Sequence, residues 1–428
     1  MEFLKSKIGC KLFLLVFAYV NLDCYAQDWD KRHEFAKSYF GISNYIYPNV
    51  EDGKYLNNIG EISSFERSGF VSPAINIGAT HFWGFADFYV SINTSSFKID
   101  QDKIENSFRL GTFTGLRLFP LASKINTVRP YLGYKFSPFR YKQTDINQEE
   151  FKFTQVKSVF DIGIGYQLPN FYFTLEYGQV VDPNFEVYLS RENYKNDKFP
   201  KFLLNLGLNY TIETTKSAST ELNKRSNALF SSSNKWGFFC AAGPSSSFPV
   251  GSSTYVTEQY PFLDDKSFPT IFPDIALGYH FSKLDLIIAT SFRPISQKRK
   301  AFGFEQELSV RSINFESYAF LADYHGFAPY VGIGISNDNI TVNAFDDGVA
   351  FSELNTNEFN PNFVFGWDIR PSVKGDWWLL RTNLRYYPFS EVKYHGSSLS
   401  LKNIEFNFIQ FVFYPQRFKK MINMSTQN

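Results

Sequence analysis

The sequence predicts an all-β protein whose strands cross a membrane as an antiparallel β-barrel, and three observations carry that prediction. The 428 residues include 49 phenylalanines and 26 tyrosines against three methionines, a composition suited to strands rather than to a helical core. Apolar residues alternate with small or polar ones wherever turn residues are absent, as in "VFDIGIGYQL", where Phe160, Ile162, Ile164 and Tyr166 share one face and Asp161, Gly163 and Gly165 the other. Beyond the amino terminus no apolar run is long enough to span a bilayer as a helix.

The amino terminus reads "MEFLKSKIGCKLFLLVFAYVNLDCYAQ", with Lys5, Lys7 and Lys11 before the apolar run Leu12 to Val20 and a small residue at Ala26. That order predicts a secretory signal peptide over residues 1–26 and a mature chain from Gln27. Cys24 raises a lipoprotein reading, against which Asp23 and Asn21 occupy positions that want small or apolar residues. With Cys10 and Cys24 in the leader, Cys240 stands alone in the mature chain, so no intramolecular disulfide is possible and stability must come from packing, pairing or a bilayer. The balance of 43 basic against 42 acidic residues gives no basic field for nucleic acid and no acidic one for metal storage.

Alternation places eight strands in the first half, at about Tyr39 to Tyr47, Val71 to His81, Phe85 to Asn93, Phe108 to Leu118, Val128 to Phe136, around Asp161, Phe171 to Val180 and Phe202 to Ile212. A second eight run at about Trp236 to Ser246, Ile271 to Phe281, Leu284 to Phe292, Leu308 to Tyr324, Pro329 to Ser336, Phe363 to Ile369, Trp377 to Tyr387 and Ile404 to Tyr414. The phrase "PYLGYKFSP" from Pro130 returns as "PYVGIGISN" from Pro329, and "SPAINIGATHFWGFADFYVSI" faces "FPDIALGYHFSKLDLIIATSF". These matches at equivalent places predict a duplicated eight-stranded unit: barrels over 27–212 and 235–415, a polar periplasmic linker over 213–234 and a tail over 416–428. Links after odd-numbered strands are long and polar while those after even-numbered ones, such as "HFWG" and "HFSK", are short, the pattern of a barrel inserted from one side.

With "RPYLGYKF", "FDIGIGYQL" and "KFLLNLGLNYTI" in hand, the unit resembles the small outer-membrane β-barrel proteins of Gram-negative bacteria. The resemblance implies localisation in the outer membrane, contact with its lipid and with the barrel-assembly machinery, and surface loops that face outward. It also makes Asn205, Gly207, Tyr210 and Ile212 look like the polar, glycine, aromatic and apolar positions of an assembly signal. The last strand, "NIEFNFIQFVFYP", keeps the aromatics Phe411, Phe413 and Tyr414 without the glycine.

Two architectures fit sixteen strands: two tandem eight-stranded barrels, each filled by its own side chains, or one sixteen-stranded barrel around water. The polar link of about twenty residues favours the pair. On the face opposite the apolar one, alternation places Asp87, Arg109, Arg117, Lys135, Asp161 and Glu176 in the first half and Asp274, Asp285, Arg311, Asp368, Arg381 and Arg385 in the second. Charges of both signs in a narrow lumen must pair, so these are expected to form a plug of salt bridges, or otherwise a selectivity filter with some anion preference in the arginine-rich second half. Tyr47, Phe119, Phe136, Tyr166, Trp377 and Trp378 are expected at the bilayer interfaces.

No catalytic, cofactor or metal site is expected, and no nucleic-acid partner. The leading functional expectation is a structural or surface-interaction role through the loops toward protein or glycan partners. A porin-like passive channel for small solutes comes second, and a lipid acyl hydrolase or transferase third. The last would need His395 of "EVKYHGSSLS" beside Ser397, Ser398 or Ser400 to activate a hydroxyl.

Overall fold

The structure, a computed structural model, describes residues 34–48, 50–57, 59–101, 104–144, 150–213, 236–263, 270–281, 283–370 and 377–425. The leader and, past Glu213, the polar segment between the halves lie outside them. Eight wall strands make the first half: β1 (Lys37–Tyr47), β2 (Phe70–His81), β3 (Ala86–Asn93), β4 (Phe113–Leu118), β5 (Thr127–Thr144), β6 (Glu150–Gln167), β7 (Phe171–Val180) and β8 (Phe202–Glu213). The second has β9 (Gly237–Pro249), β10 (Thr270–Phe281), β11 (Leu286–Ala301), β12 (Phe304–Phe320), β13 (Phe327–Asp346), β14 (Val349–Ile369), β15 (Trp378–Tyr387) and β16 (Asn403–Phe413).

Antiparallel pairing closes on itself twice. In the first half each strand pairs with the next, and β1 also pairs with β8, Lys37 standing opposite both Thr80 and Glu213. The second ring runs from β9 to β16 in the same way and closes where Cys240 pairs with Phe413. Since β8 and β9 are each paired along both edges within their own ring, neither has an edge left for the other, as a single sixteen-stranded ladder would need. Closure removes the unpaired backbone edge that hydrocarbon does not tolerate.

Alternation then sorts the side chains. Val156, Phe160, Ile162, Ile164 and Tyr166 of β6, Leu204, Leu206 and Leu208 of β8, and Val331, Ile333 and Ile335 of β13 all face outward and are exposed. Ten residues of strand, tilted about 45°, raise such a band about 24 Å, the thickness of a bilayer core. Several strands continue far beyond it: β5 and β6 are 18 residues each and β14 is 21. Past the band the period of two continues in β5 and β6 with its sense reversed, Phe139, Tyr141, Phe151 and Phe153 facing in and Arg140, Lys142 and Lys152 facing out, so the apolar outward face that marks a crossing strand ends before the strand does.

The two rings stand side by side with the same ends together. At the short-turn end Phe35 packs edge-on against Trp83 of the first half and Tyr324 of the second, with centroids 5.2 and 5.6 Å apart. Midway, Phe136 meets Phe248 and Phe406. At the loop end Phe151 pairs with Ala301 and stacks on Phe302 at 5.9 Å. There the loops of both halves share one apolar core, in which Phe139, Phe153 and Phe185 join Tyr255, Phe304 and Leu399. Tyr255 belongs to the short helix α1 (Thr254–Gln259) in the loop after β9.

Within the stretch expected as a tail, Pro415–Ser425 forms a second helix, α2, packed against the second ring's closing strands. Its Gln416 Oε1 accepts from the Phe238 N–H at 3.2 Å, and Phe418 packs 5.0 Å from Trp377.

Each closing seam needs a residue without a side chain. A Cβ on Gly41 of β1 would run into the Leu208 carbonyl of β8, and one on Gly243 of β9 into the Ile409 carbonyl of β16, beside the irregularity between Ala242 and Ser245 where Pro244 has no N–H to give. Gly41→Val is therefore expected to cost about 1–3 kcal/mol and to lower the temperature at which the chain loses its compact electrophoretic mobility; an unchanged midpoint would contradict a tight β1–β8 seam.

Candidate functional site: charged interiors beneath a shared loop layer

The first interior is organised around Glu176 of β7. One carboxylate oxygen accepts from Tyr131 Oη at 2.9 Å and from Arg117 Nε and Nη2 at 3.2 and 3.1 Å, while the other accepts from Lys135 Nζ and from Asn205 Nδ2 at 3.0 Å. Arg117 continues to Asp87 at 2.9 Å, which Tyr39 also reaches at 2.7 Å, and Lys135 to Asp161 at 2.9 Å. Toward the short turns, Arg129 donates to the Gly84 carbonyl at 2.9 Å and lies over the Phe119 ring. Three carboxylates, Asp87, Asp161 and Glu176, thus meet two cations, Arg117 and Lys135, while Arg129 is answered by backbone carbonyls, all of them buried. Low dielectric makes each of these contacts strong and any unmatched member expensive.

The second interior uses other positions. Arg381 holds Asp368 through two bonds of 2.7 and 2.8 Å and also reaches Tyr318. Arg385 joins Asp274, at 2.6 Å, to Glu316, and Arg293 joins Glu405 to Ser312. Asn407 completes the set with a bond to Asp274 at 3.1 Å.

Of the twelve charges assigned to the lumens by alternation, Asp87, Arg117, Lys135, Asp161 and Glu176 lie inside the first ring and Asp274, Asp368, Arg381 and Arg385 inside the second. Three do not. Alternation along a single strand puts Arg109 on the face of Arg117, but the chain interrupts that strand at Gly111 and Thr112, shifting its parity, so Arg109 faces outward. Arg311 alternates with inward-facing Ser312 and Asn314 and points out past Ile313, where the outer face is polar too. Asp285 sits exposed in the turn before β11 with φ of 45°. In their place the second lumen contains Arg293, Glu316 and Glu405, so Asp274, Glu316, Asp368 and Glu405 face Arg293, Arg381 and Arg385, and the expected arginine surplus is not there. Spacing could have found Glu316 and Glu405, which fall in step with Asn314 and Asn407.

Two of the expected interface aromatics also turn inward: Tyr47 is buried in the loop-side core and Phe119 packs on Tyr131 at 5.0 Å. Phe136 lies between the rings, while Tyr166, Trp377 and Trp378 remain on the outer side.

The loops after β1 and after β7 form a lid over the first ring, held by a buried pair, Arg67 Nη1 to Asp197 Oδ2 at 2.8 Å, with Arg67 also donating to Tyr141 Oη. Burial lifts the Asp197 carboxyl above its ordinary range against the pull of Arg67. Beside the lid, a cleft of about 500 Å³ runs between the loops of the two halves, walled by Phe153, Phe185, Tyr188 and Phe262 and edged by Asp182, Asn184, Glu186 and Asn196. His395 Nε2 lies 2.5 Å from Ser352 Oγ, a serine of β14, rather than beside a serine of its own loop; Ser398 bonds Thr254 and Ser400 bonds Ser253. Among the described residues no carboxylate hydrogen-bonds that imidazole, and no cluster of His, Cys, Asp and Glu is arranged to hold a metal.

No family model matches the chain, and no curated protein does. Among solved structures, the attachment invasion locus protein Ail of Yersinia pestis, in complex with the heparin analogue sucrose octasulfate, aligns at 9% identity and a TM-score of 0.26 over 42% of this chain and 97% of its own. OmpT, an outer membrane protein of Vibrio cholerae, aligns at 9% identity and 0.17 over 89% of this chain and 99% of its own. An outer membrane channel from Pseudomonas putida F1 does so at 9% and 0.21, over 88% and 94%. At such scores the barrel assignment rests on the strand pairing itself.

Glu176→Ala, which strands Arg117 and Lys135 in the lumen, is expected to destabilise the protein by about 3–5 kcal/mol, read from urea unfolding in bilayers. Replacing both members of a pair, Asp368→Leu with Arg381→Met, is expected to cost far less than Arg381→Met alone; equal losses would mean the ion pair is not an isolated unit.

Proposed function

We propose that the protein is an integral outer-membrane barrel protein whose role is structural or interactive and is exercised by its outward loops. The single observation that carries this reading is the contrast between the two ends of each lumen and the layer above them: the interiors are filled by paired charges and aromatic rings, while the loops form a folded surface with an open cleft. The exposed apolar band supports residence in a bilayer, and the charged leader-like start of the chain supports export. Equal strand numbers and a glycine at each seam support descent from one duplicated unit.

The cleft fits an aromatic-stacking, hydrogen-bonding ligand such as a glycan or an extended peptide: Tyr188 and Phe262 offer ring faces, and Asn184, Asn196 and Glu186 offer directional polar groups. A hydrolytic reading has only the Ser352–His395 contact in its favour.

In planar bilayers the full chain is expected to give no stable conductance steps, because the charged side chains around Glu176 and Arg385 are buried and bonded to one another across each lumen. Large, long-lived steps would replace this reading with a passive channel. Tyr188→Ala with Phe262→Ala is expected to weaken any loop-bound glycan or peptide at least tenfold without altering the barrel.

A further inference from the structure

Helix α2 lies at the short-turn end, against the outside of the second ring. Its Phe418 packs on Trp377 and Phe413, with centroids 5.0 and 5.7 Å apart, and both of those rings are on the outward side of the wall. With the exposed Trp236 and Phe238 they form an aromatic girdle, the feature that marks where a barrel wall passes from hydrocarbon to headgroups. The helix therefore sits beside the wall at the level of the inner-leaflet headgroups.

Local chemistry fixes it there. Pro415 ends β16 and opens the helix, where its missing N–H costs nothing. Gln416 Oε1 then accepts from the Phe238 N–H at 3.2 Å, Arg417 Nε donates to the Trp236 carbonyl at 3.2 Å, and the Tyr414 N–H donates to the Trp377 carbonyl at 2.7 Å. These bonds fasten the end of β16 to the starts of β9 and β15, across the seam where the second ring closes.

Charge is the second observation. Residues 415–428 contain Arg417, Lys419 and Lys420 and no acidic residue, in a chain whose net charge is only +1. Arg417 lies over the Tyr414 ring at 3.6 Å. Lys419 and Lys420 are exposed, and among the described residues neither has an ion-pair or hydrogen-bond partner. Phe418 and Ile422, four apart, share one side of the helix, and Ile422 is 42% exposed. Such a helix, apolar on one side and basic on the rest, is held at an interface by apolar burial together with attraction to anionic lipid.

We propose that α2 binds the anionic phospholipid headgroups of the inner leaflet through Lys419 and Lys420, and so ties closure of the second ring to the charge of the surrounding membrane. The proposal rests on the outer-membrane reading. A soluble partner would have no need of a helix laid on wall residues that face hydrocarbon.

The test uses the full chain in nanodiscs of phosphatidylcholine alone, or of phosphatidylcholine mixed with phosphatidylglycerol, and reads amide hydrogen exchange over residues 418–422. Anionic lipid is expected to slow that exchange about tenfold while leaving the amides of β11 unchanged, and high salt to remove the difference. Lys419→Gln with Lys420→Gln is expected to lose the lipid dependence while matching the parent in phosphatidylcholine, and Lys419→Arg with Lys420→Arg to keep it. Equal exchange in the two discs, a full difference in the glutamine variant, or the same slowing by millimolar glycerol phosphate in phosphatidylcholine discs would each overturn the proposal. A chain that enters discs of neither composition would instead overturn the membrane reading beneath it.

Discussion

An eight-stranded ring is barely wide enough for its own side chains, and from that width most of the molecule's character follows. Once β1 pairs with β8 and β9 with β16, every inward residue is desolvated and must find its partners across the lumen. Glu176 answers this by gathering bonds from four side chains, and Arg385 by joining carboxylates from β10 and β12. The same crowding explains why the seams carry glycine and why the interiors hold tyrosines such as Tyr39, Tyr131 and Tyr318, each a ring that fills space and a hydroxyl bonded to a charged side chain.

Pairing inside and alternation outside leave little chemical freedom in the walls, so whatever distinguishes this protein lies in its loop layer. That layer belongs to neither ring alone. Phe151 and Phe302 stack across the joint, Arg191 of the first half donates to the Phe302 carbonyl at 2.9 Å, and α1 of the second half shares a core with the lid of the first. Joining the loops opens the cleft of about 500 Å³ between them, walled by aromatic rings and edged by Asp182 and Glu186.

Much of this was legible in the sequence. All sixteen wall strands were located by alternation, because an apolar surround enforces period two on any strand that crosses it. Face assignment worked for Asp87, Glu176 and Arg381, which lie where the outward neighbours are apolar, and failed for Arg311, which lies where they are not. Arg109 was lost to a single interruption at Gly111, since one inserted residue reverses every later face. The shared loop core left no periodic trace: it joins residues more than a hundred positions apart, and nothing local marks Phe151 as the neighbour of Phe302.

The central claim, that two rings close separately, is tested most directly by cross-linking the seams. Phe413→Cys places a thiol in register with the native Cys240, and Ile42→Cys with Leu208→Cys does the same for the first ring once Cys240 is replaced by serine. Paired strand positions lie within disulfide reach. Both cross-links should form readily in the folded protein and leave its compact mobility intact, whereas a pair set on β8 and β9, such as Leu206→Cys with Phe238→Cys, should not. Efficient bridging of β8 to β9 with silence at the two seams would contradict the account and require a single sixteen-stranded barrel.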